Sequence, residues 1–349
     1  MQSHPIGVSL FTSIRGFHPA AKSRIIFLGW RFRLDHFRRT RKFVPSDRDG
    51  WAVVLAGGEG TRLQSLTRNI AGDFRPKQFC RLFGGKTLLR QTCDRVNPLF
   101  PRDRTLIVVT RTHERFYADE LSETGDSPIL VQPHNRGTGV AIITGILRIL
   151  EVQPDAVVAL FPSDHYYSND RAFRAAIRSA RRFARKHSKS VVLLGAEAHA
   201  PEVEYGWIEP GPLIGKEPGS ELLRVNRFWE KPSSDEAQSL LEARCLWNTF
   251  VAIGTGSAFL DLFNSQIPDV VKHISRGLSK GGLDAAYRGV RAVDFSREVL
   301  AQRPDRLLVL RDSTSGWADL GDPSRVVDTL VRNRIETDWL SEWLVARPA

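Results

Sequence analysis

The stretch WAVVLAGGEGTRL, residues 51–63, decides the fold of this 349-residue chain. Its first half is a run of apolar and β-branched residues, which predicts a buried strand. The strand leads directly into a turn that contains Gly57, Gly58 and Gly60. Glycines in such a turn let backbone N–H groups approach an anion closely, and Arg62 adds a guanidinium. The stretch therefore predicts an α/β protein with a phosphate-binding loop, and a purely structural turn is the alternative.

Two familiar nucleotide-binding patterns are excluded. The pattern G-x-G-x-x-G fails because Leu63 occupies the position of its last glycine. The tempting GKT at residues 85–87 fails as a P-loop because Cys80 stands where the first glycine is required. The loop is therefore neither a dinucleotide fingerprint nor a Walker motif.

Downstream, short apolar runs alternate with longer amphipathic segments, which is the pattern of βαβ units. Near-continuous apolar strands are typical of a sheet that is covered on both faces. Further strands are predicted at 105–110, 128–132, 156–164, 190–196 and 306–312, and helices at 87–96, 112–121, 138–150 and 170–187. We therefore predict an α/β fold with a mostly parallel central sheet and helices on both faces.

After residue 200 the alternation loosens, and we expect a second layer of structure packed on the first sheet because no linker-like break appears. In this layer, residues 212–221 are expected to be a surface turn. The helix at 170–187 carries a row of arginines that we expect to be a solvated face: Arg174, Arg178, Arg181 and Arg185.

The positive charge of the chain is unevenly distributed. There are 50 Lys and Arg against 39 Asp and Glu, a net charge of +11. Residues 1–50 hold ten basic and three acidic residues, so the other 299 residues carry only +4. Such a stretch could be a nucleic-acid arm, a membrane-surface arm or a transit peptide. We favour a basic extension outside the fold, disordered or wrongly assigned as the start, and hence expect no nucleic-acid or membrane partner.

The cysteines and the hydropathy suggest where the protein works. Cys80, Cys93 and Cys245 are far apart and odd in number, which argues against a disulfide framework or a thiolate zinc site. No apolar run is long enough to span a bilayer. We expect a cytoplasmic protein with one folded domain at residues 51–335 and a C-terminal tail at residues 336–349.

Two later segments offer groups for a nucleotide. Lys77 follows a proline in RPKQFC, so its ammonium could be held against a phosphate. Gln132 and Thr138 lie in QPHNRGTGVAI, a polar turn that enters a helix. The amide of Gln132 could read a base edge, and the helix N-terminus could supply donors. A surface lysine and a capped helix without a ligand are the alternatives.

Two acids follow predicted strands. Asp164 lies in FPSDHY, at the carboxyl end of an apolar strand where ligands of open α/β sheets gather. Asp319 lies in the glycine-bounded loop GWADLG. Carboxylates suit Mg²⁺, which prefers oxygen ligands and substrate phosphates. The spacing of 155 positions does not show whether the two acids meet. His165 is expected to be structural.

Polar residues near 230 and 248 have the chemistry of a sugar-phosphate site. In FWEKP, Glu230 could accept bonds from sugar hydroxyls while Lys231 meets a phosphate, and an exposed ion-paired turn is the alternative. In WNTF, Asn248 is a donor and acceptor suited to vicinal hydroxyls. The sequence contains no HExxH, GxSxG or Cys/His nucleophile arrangement.

The motifs LAGGEGTRL, PKQF, QPHNRGTGVAI, FPSDHY, GWIEPG, FWEKP, WNTF and GWADLG occur in the order and spacing of a known family. Over residues 51–335 the chain resembles the sugar-1-phosphate nucleotidyltransferases. The forms PKQF and FPSDHY resemble most the mannose-1-phosphate guanylyltransferase branch. The resemblance implies a Rossmann-like nucleotidyltransferase fold with an appended sugar-binding layer.

The resemblance also implies a reaction, in which GTP and mannose 1-phosphate give GDP-mannose and pyrophosphate. In this family the sugar phosphate is itself the nucleophile, which fits the lack of a nucleophile motif. Mg²⁺ would be the cofactor and a homodimer a possible assembly. The implied roles are triphosphate binding by Gly57, Gly58, Gly60 and Arg62, phosphate binding at the reacting centre by Lys77, Mg²⁺ binding by Asp164 and Asp319, sugar contact by Gly206, Glu230 and Asn248, and sugar-phosphate contact by Lys231.

Three departures from the family pattern leave alternatives open. RGTGVA stands where RNTAPA is usual, Gln64 and Ser65 stand where a proline is usual, and WNTFVAIG replaces a WNSGMF-like run. A different nucleotide or sugar 1-phosphate is therefore the first alternative. A catalytically silent relative that binds a nucleotide sugar and regulates a partner is the second, although the chain retains Arg62, Lys77, Asp164, Lys231 and Asp319.

Overall fold

The computed structural model describes residues 50–122 and 125–345 of the chain. The predicted basic extension therefore lies outside the described residues, except for Gly50, as do the last four residues of the predicted tail. In this part of the chain, no helix combines the length and the apolar character that crossing a bilayer requires.

Nine of the strands form one sheet, in the order β3-β2-β1-β4-β9-β6-β10-β8-β7. The strands are β1 (Trp51–Leu55), β2 (Thr105–Thr110), β3 (Ile129–Gln132), β4 (Val157–Pro162), β5 (His165–Tyr167), β6 (Val191–Glu197), β7 (Gly206–Glu217), β8 (Ser220–Glu230), β9 (Leu246–Thr255), β10 (Leu307–Asp312) and β11 (Trp317–Asp319). Strands β8 and β9 run against the other seven of this sheet. The predicted mostly parallel central sheet is confirmed.

Helices cover both faces of the sheet. They are α1 (Gln64–Ala71), α2 (Leu88–Val96), α3 (Glu114–Ser122), α4 (Gly137–Val152), α5 (Asp170–Lys186), α6 (Ser234–Glu242), α7 (Gly256–Gln266), α8 (Pro268–Tyr287), α9 (Pro323–Asn333) and α10 (Asp338–Val345). Side chains of β1 alternate between the faces, as the period of a strand requires. Ala52 and Val54 join the core cluster that contains α2 and α5, whereas Val53 faces Gly145 of α4. All three cysteines are buried and free.

The region after residue 200 differs from the prediction in two ways. Strands β7, β8 and β9 extend the main sheet and do not form a separate layer on it. Residues 212–221 are not a surface turn, because β7 and β8 pair through Glu217 and Ser220 and leave only a two-residue connection. The proline and glycines in this segment masked its strand character.

Two other expectations are wrong for reasons of packing. Arg181 does not belong to a solvated face, since it is buried, donates to the carbonyl oxygen of Leu99 and stacks on Phe100. The segment after residue 335 is not a tail over its described part. Its residues form α10, and Trp339 of this helix is buried with its indole N–H bonded to the carbonyl of Leu82.

A separate two-stranded ribbon, the β5–β11 ribbon, lies beyond the carboxyl end of β4. Its antiparallel register pairs His165 with Asp319 and Tyr167 with Trp317. The turn before β11 is held by the buried Asp312, which accepts bonds from the backbone N–H groups of Thr314 and Ser315. The ribbon brings residues from two distant parts of the sequence to one place.

Candidate active site

The glycine loop after β1 is fixed through its carbonyl groups. The side-chain amide of Gln78, which is buried, donates to the carbonyls of Ala56 (3.1 Å) and Gly58 (2.8 Å). The hydroxyl of Thr110 donates to the carbonyl of Gly57 at 3.2 Å. Because the carbonyls are engaged on the protein side, the backbone of the loop is held rigidly beside the cavity that it lines.

The three predicted glycines are required for different reasons. A Cβ on Gly57 would lie 2.6 Å from Nε2 of Gln132, so no side chain fits there. Gly60 has a φ of +61°, and a Cβ on it would come within 3.0 Å of the backbone nitrogen of Lys77. A Cβ on Gly58 would meet nothing within 4 Å. Packing therefore dictates Gly57 and Gly60, whereas Gly58 faces open space next to the cavity.

We expect Gly57→Ala and Gly58→Ala to have opposite effects. Gly57→Ala should lower the free energy of unfolding by about 2 kcal/mol because the methyl group overpacks against Gln132. Gly58→Ala should leave stability unchanged and raise the KM for the nucleoside triphosphate by about tenfold, because the methyl group occupies space next to the loop backbone. Thermal unfolding and initial rates measure the two effects. Equal stability losses in the two variants would contradict the distinction.

Most of the predicted nucleotide residues line one cavity of about 370 Å³ at the carboxyl ends of β1, β3 and β4. Parallel strands place their ligands at this edge of a sheet. A second cavity of about 170 Å³ adjoins it and shares Arg62, Thr138, His165, Phe250 and Asp319. The predicted residues on the first cavity are Gly57, Gly58, Arg62, Lys77, Gln132, Thr138, Asp164 and Asp319, and those on the second are Arg62, Thr138, Gly206, Glu230, Asn248 and Asp319.

The two predicted carboxylates converge on one buried lysine. The ammonium of Lys77 lies 3.3 Å from Oδ2 of Asp164 and 3.8 Å from Oδ1 of Asp319, and it donates to the carbonyl of Leu320 at 2.9 Å. Only 7% of Lys77 is exposed, so its charge is screened little by water. The β5–β11 ribbon thus brings together the acids that sequence spacing alone could not place.

His165 belongs to this centre and is not merely structural, as we expected from the sequence. Its Nδ1 accepts a hydrogen bond from the indole N–H of Trp317 at 3.1 Å, so the proton of the neutral ring lies on Nε2. Nε2 is 3.5 Å from Oδ1 of Asp319 and 3.9 Å from Oδ1 of Asp164. His165 therefore orients an N–H toward both carboxylates.

Charge and burial set the ionisation of this centre. Burial lowers the pKa of His165, and the opposing effect of the two carboxylates does not reverse it, so the ring is neutral near pH 7. Burial by itself would raise the pKa of Asp164, but Lys77 and His165 outweigh it and hold the pKa below its ordinary value. Asp164 is therefore an ionised carboxylate at neutral pH.

These residues fit a magnesium ion that is shared with a substrate. Among the described residues, no three His, Cys, Asp or Glu side chains are arranged to hold a metal by themselves. Asp164 and Asp319 offer two carboxylates at one edge of the cavity. Magnesium is commonly held by one or two carboxylates together with substrate phosphates and water.

The three predicted sugar residues meet at the second cavity. Gly206 pairs with Glu230 across β7 and β8, and a Cβ on Gly206 would lie 3.0 Å from Oε2 of Glu230 and 3.2 Å from Cβ of Asn248. Asp294 and Ser296 also line this cavity, and no motif had indicated them. Burial, reinforced by the charge of Asp294, raises the pKa of Glu230 to about 7.

Lys231 lies at the edge of this site and lines neither cavity. Its ammonium is 3.3 Å from Oε2 of Glu204, and the same oxygen accepts a bond from Nη1 of Arg62 at 2.8 Å. One carboxylate thus joins the two cations that were predicted to face phosphates. Gly60 likewise lines neither cavity and acts through the turn that it permits.

The glycines around Thr138 serve backbone packing and not base contact. A Cβ on Gly137 or Gly139 would come within 2.3 Å of Val293. The N–H of Gly139 donates to the carbonyl of Val293, and the hydroxyl of Thr138 accepts from the N–H of Phe295. The N-terminus of α4 is thus partly covered by the segment 293–295, which accounts for the RGTG sequence.

A profile of the nucleotidyl transferase family matches residues 51–332. The chain belongs to the nucleotidyl transferase family. The family is enzymatic, and its members act on nucleoside triphosphates and sugar phosphates.

Three relatives of this nucleotidyl transferase illustrate the similarity. The xanthan biosynthesis protein XanB of Xanthomonas campestris pv. campestris (strain B100) is 29% identical over 79% of this chain and 58% of XanB. A mannose-1-phosphate guanylyltransferase of Escherichia coli (strain K12) is 27% identical over 78% of this chain and 58% of the relative. The chain thus spans less than two thirds of these curated relatives.

The third relative is a crystal structure described as a mannose-1-phosphate geranyltransferase from Thermus thermophilus. It superimposes with a TM-score of 0.71 at 31% identity and covers 82% of this chain and 79% of that one. The fold predicted for the nucleotidyl transferase is therefore also the fold of a solved relative.

Sequence reasoning missed several groups that shape the site of this nucleotidyl transferase. Arg325 donates to Oδ2 of Asp319 at 3.1 Å and stacks on Tyr205, so it orients one of the two carboxylates. Gln78 was visible inside the PKQF motif, but its role of holding the glycine loop needed the fold. Glu204 carried no signal, because a lone acid in a loop is most often a solvated residue.

Proposed function

We propose that the protein transfers GMP from GTP to mannose 1-phosphate and forms GDP-mannose and pyrophosphate. The observation that carries this proposal is the meeting of Lys77, Asp164 and Asp319 at the boundary of two cavities. One cavity offers a glycine loop and a side-chain amide, which suit a nucleoside triphosphate, and the other offers Glu230 and Asn248, which suit a sugar. The curated guanylyltransferase relatives support the choice of substrates.

The residues present can perform this transfer by positioning and by charge. A phosphate oxygen of mannose 1-phosphate attacks the α-phosphorus of GTP, a new P–O bond forms, and the bond to the β-phosphate oxygen breaks to release pyrophosphate. No protein nucleophile is needed. Arg62 and Lys77 would neutralise charge on the phosphates, and the fixed glycine loop would hold them in line.

Asp164 and Asp319 would hold Mg²⁺ in this reaction. Bound there, the cation supplies charge neutralisation to the triphosphate oxygens. Lys77 keeps both carboxylates ionised and close together before a substrate arrives, and the neutral His165 contributes an N–H without adding a charge. A cytoplasmic location and a homodimer belong to the same proposal.

One experiment tests the proposal on the full chain. The purified protein is incubated with Mg²⁺, each of four nucleoside triphosphates and a panel of sugar 1-phosphates, and pyrophosphate release is measured together with the mass of the product. We expect GTP with mannose 1-phosphate to be the most efficient pair. Absence of pyrophosphate with every pair would overturn the enzyme proposal. Preference for UTP or dTTP would overturn the guanylyl assignment, and preference for another sugar would redirect the second cavity.

The raised pKa of Glu230 predicts a pH-dependent affinity for the sugar phosphate. Below about pH 7 the carboxyl is protonated and accepts fewer bonds from sugar hydroxyls. The KM for mannose 1-phosphate should therefore rise roughly tenfold between pH 8 and pH 6, because the ionised fraction falls by about that factor.

The variant Glu230→Gln separates this effect from titration of the substrate itself. It should show a high KM at both pH values, with only the residual dependence that the phosphate group imposes. A wild-type KM with the same pH profile as that of Glu230→Gln would refute the role given to this carboxyl. Steady-state kinetics at saturating GTP measure both profiles.

A further inference from the structure

The side-chain amide of Gln132 is held by a tyrosine from a distant helix. Gln132 is the last residue of β3, is only 2% exposed and lines the larger cavity. Tyr287, the last residue of α8, is 1% exposed and donates its hydroxyl hydrogen to Oε1 of Gln132 at 3.0 Å. The contact joins positions 155 residues apart, and Tyr287 itself does not line the cavity.

The geometry distinguishes the two ends of this amide. Oε1 points to the buried hydroxyl of Tyr287. Nε2 lies on the side of Gly57, 2.6 Å from where a Cβ on that residue would be, and 3.5 Å from Oγ1 of Thr110. Gly57 lines the cavity, so the donor end of the amide faces the cavity and the acceptor end faces the core.

We propose that Tyr287 is a specificity-determining positioning residue for the nucleobase. By engaging the acceptor oxygen of Gln132, it makes the amide an N–H donor toward the cavity. The site then favours a base that presents a carbonyl oxygen there, such as O6 of guanine or O4 of uracil. It disfavours a base that presents an amino group, such as adenine or cytosine. The inference rests on the nucleotidyl transfer proposed above.

General hydrogen-bond chemistry supports the direction of this effect. A freely rotating glutamine amide pairs well with adenine, because it accepts from the N6 amino group and donates to N7. An amide whose oxygen is engaged elsewhere loses the first of these bonds and leaves the amino group of adenine without an acceptor, which is costly in a dry pocket. Burial holds the pKa of Tyr287 far above its ordinary value, so the hydroxyl keeps its hydrogen at any physiological pH.

The variant Tyr287→Phe tests the inference by removing only the hydroxyl. The dissociation constants of GTP and ATP are measured by calorimetry in the presence of Mg²⁺, together with kcat/KM for each and the KM for mannose 1-phosphate. We expect the preference for GTP over ATP to fall by about tenfold, because the amide gains freedom to turn, while the KM for the sugar phosphate is unchanged. The matched control is Tyr117→Phe, since Tyr117 is buried in the core cluster and does not line the cavity.

The outcomes separate positioning from a structural role. An unchanged GTP to ATP ratio, an equal loss for both nucleotides, or a wild-type protein that binds ATP as tightly as GTP would each overturn the inference. Should Tyr287→Phe fail to fold, Gln132→Glu provides an independent test. Tyr287 would still donate to one oxygen, and the other would face the cavity as an acceptor, so the order should reverse in favour of ATP.

Failure of this inference is distinguishable from failure of the proposed function. The binding ratios require no turnover, so a protein that forms no sugar nucleotide can still reveal the effect of Tyr287. Conversely, full guanylyl transfer with a nucleotide preference that ignores Tyr287→Phe and Gln132→Glu would leave the function intact and remove the role of the tyrosine.

Discussion

Asp164→Asn and Asp319→Asn should each lower kcat by about 10³-fold while the protein stays folded. Each substitution removes one of the two carboxylates that converge on Lys77 and His165, and with it the negative charge that would hold Mg²⁺ against the triphosphate. The amide has nearly the shape of the carboxylate, so packing around the β5–β11 ribbon is preserved. Pyrophosphate release at saturating substrates measures the loss.

The surface variant Asp284→Asn is the matched control for this pair. Asp284 also forms an ion pair, with Arg111, but it is exposed and lines neither cavity. It should retain wild-type turnover and nearly wild-type stability, as exposed ion pairs contribute little. Turnover within tenfold of wild type in either Asp164→Asn or Asp319→Asn would show that the wrong acids were assigned to the metal.

The variant Lys77→Met should lose activity and, unlike the aspartate variants, a large part of its stability. The buried ammonium compensates two carboxylates, and its removal leaves their charges facing each other without a cation. Breaking such a pair costs about 3 kcal/mol. We expect kcat to fall by about 10³-fold and the Tm to fall by several degrees.

Magnesium provides a sharp readout for the same variant. Because its carboxylates lack the ammonium, Lys77→Met should gain more Tm from added Mg²⁺ than the wild-type protein does. Thermal unfolding with and without the cation measures this difference. The control is Lys86→Met, which removes an exposed ammonium paired with Asp94 and should change neither quantity. An equal gain for both lysine variants would contradict the role given to Lys77.

Much of the fold was predictable because its strands carry strong local signals. The run at 51–55 and the apolar strands that follow it are buried on both faces, so their composition alone identifies them. Residues 212–217 were missed because Pro212 and the nearby glycines are turn formers, and only pairing with β8 makes them a strand. Arg181 was misplaced because a helical arginine row does not reveal which member faces the carbonyl of Leu99.

The candidate site was predictable one residue at a time but not as an assembly. Asp164 follows a strand and Gly57 follows another, so each could be found from its own neighbours in the sequence. The pairing of His165 with Asp319 and the contact between Tyr287 and Gln132 are tertiary and leave no periodic trace. Glu204 was missed for the same reason, because its meaning lies in the two cations that it joins, Arg62 and Lys231.

The β5–β11 ribbon ties the readiness of this site to the synthesis of the chain. One of its strands is made when less than half of the protein has left the ribosome, and the other only when almost all of it has. A nascent chain therefore carries the glycine loop and Asp164 for a long interval without the partner acid. During that interval it can hold no complete catalytic pair, so unfinished chains should not consume nucleoside triphosphate.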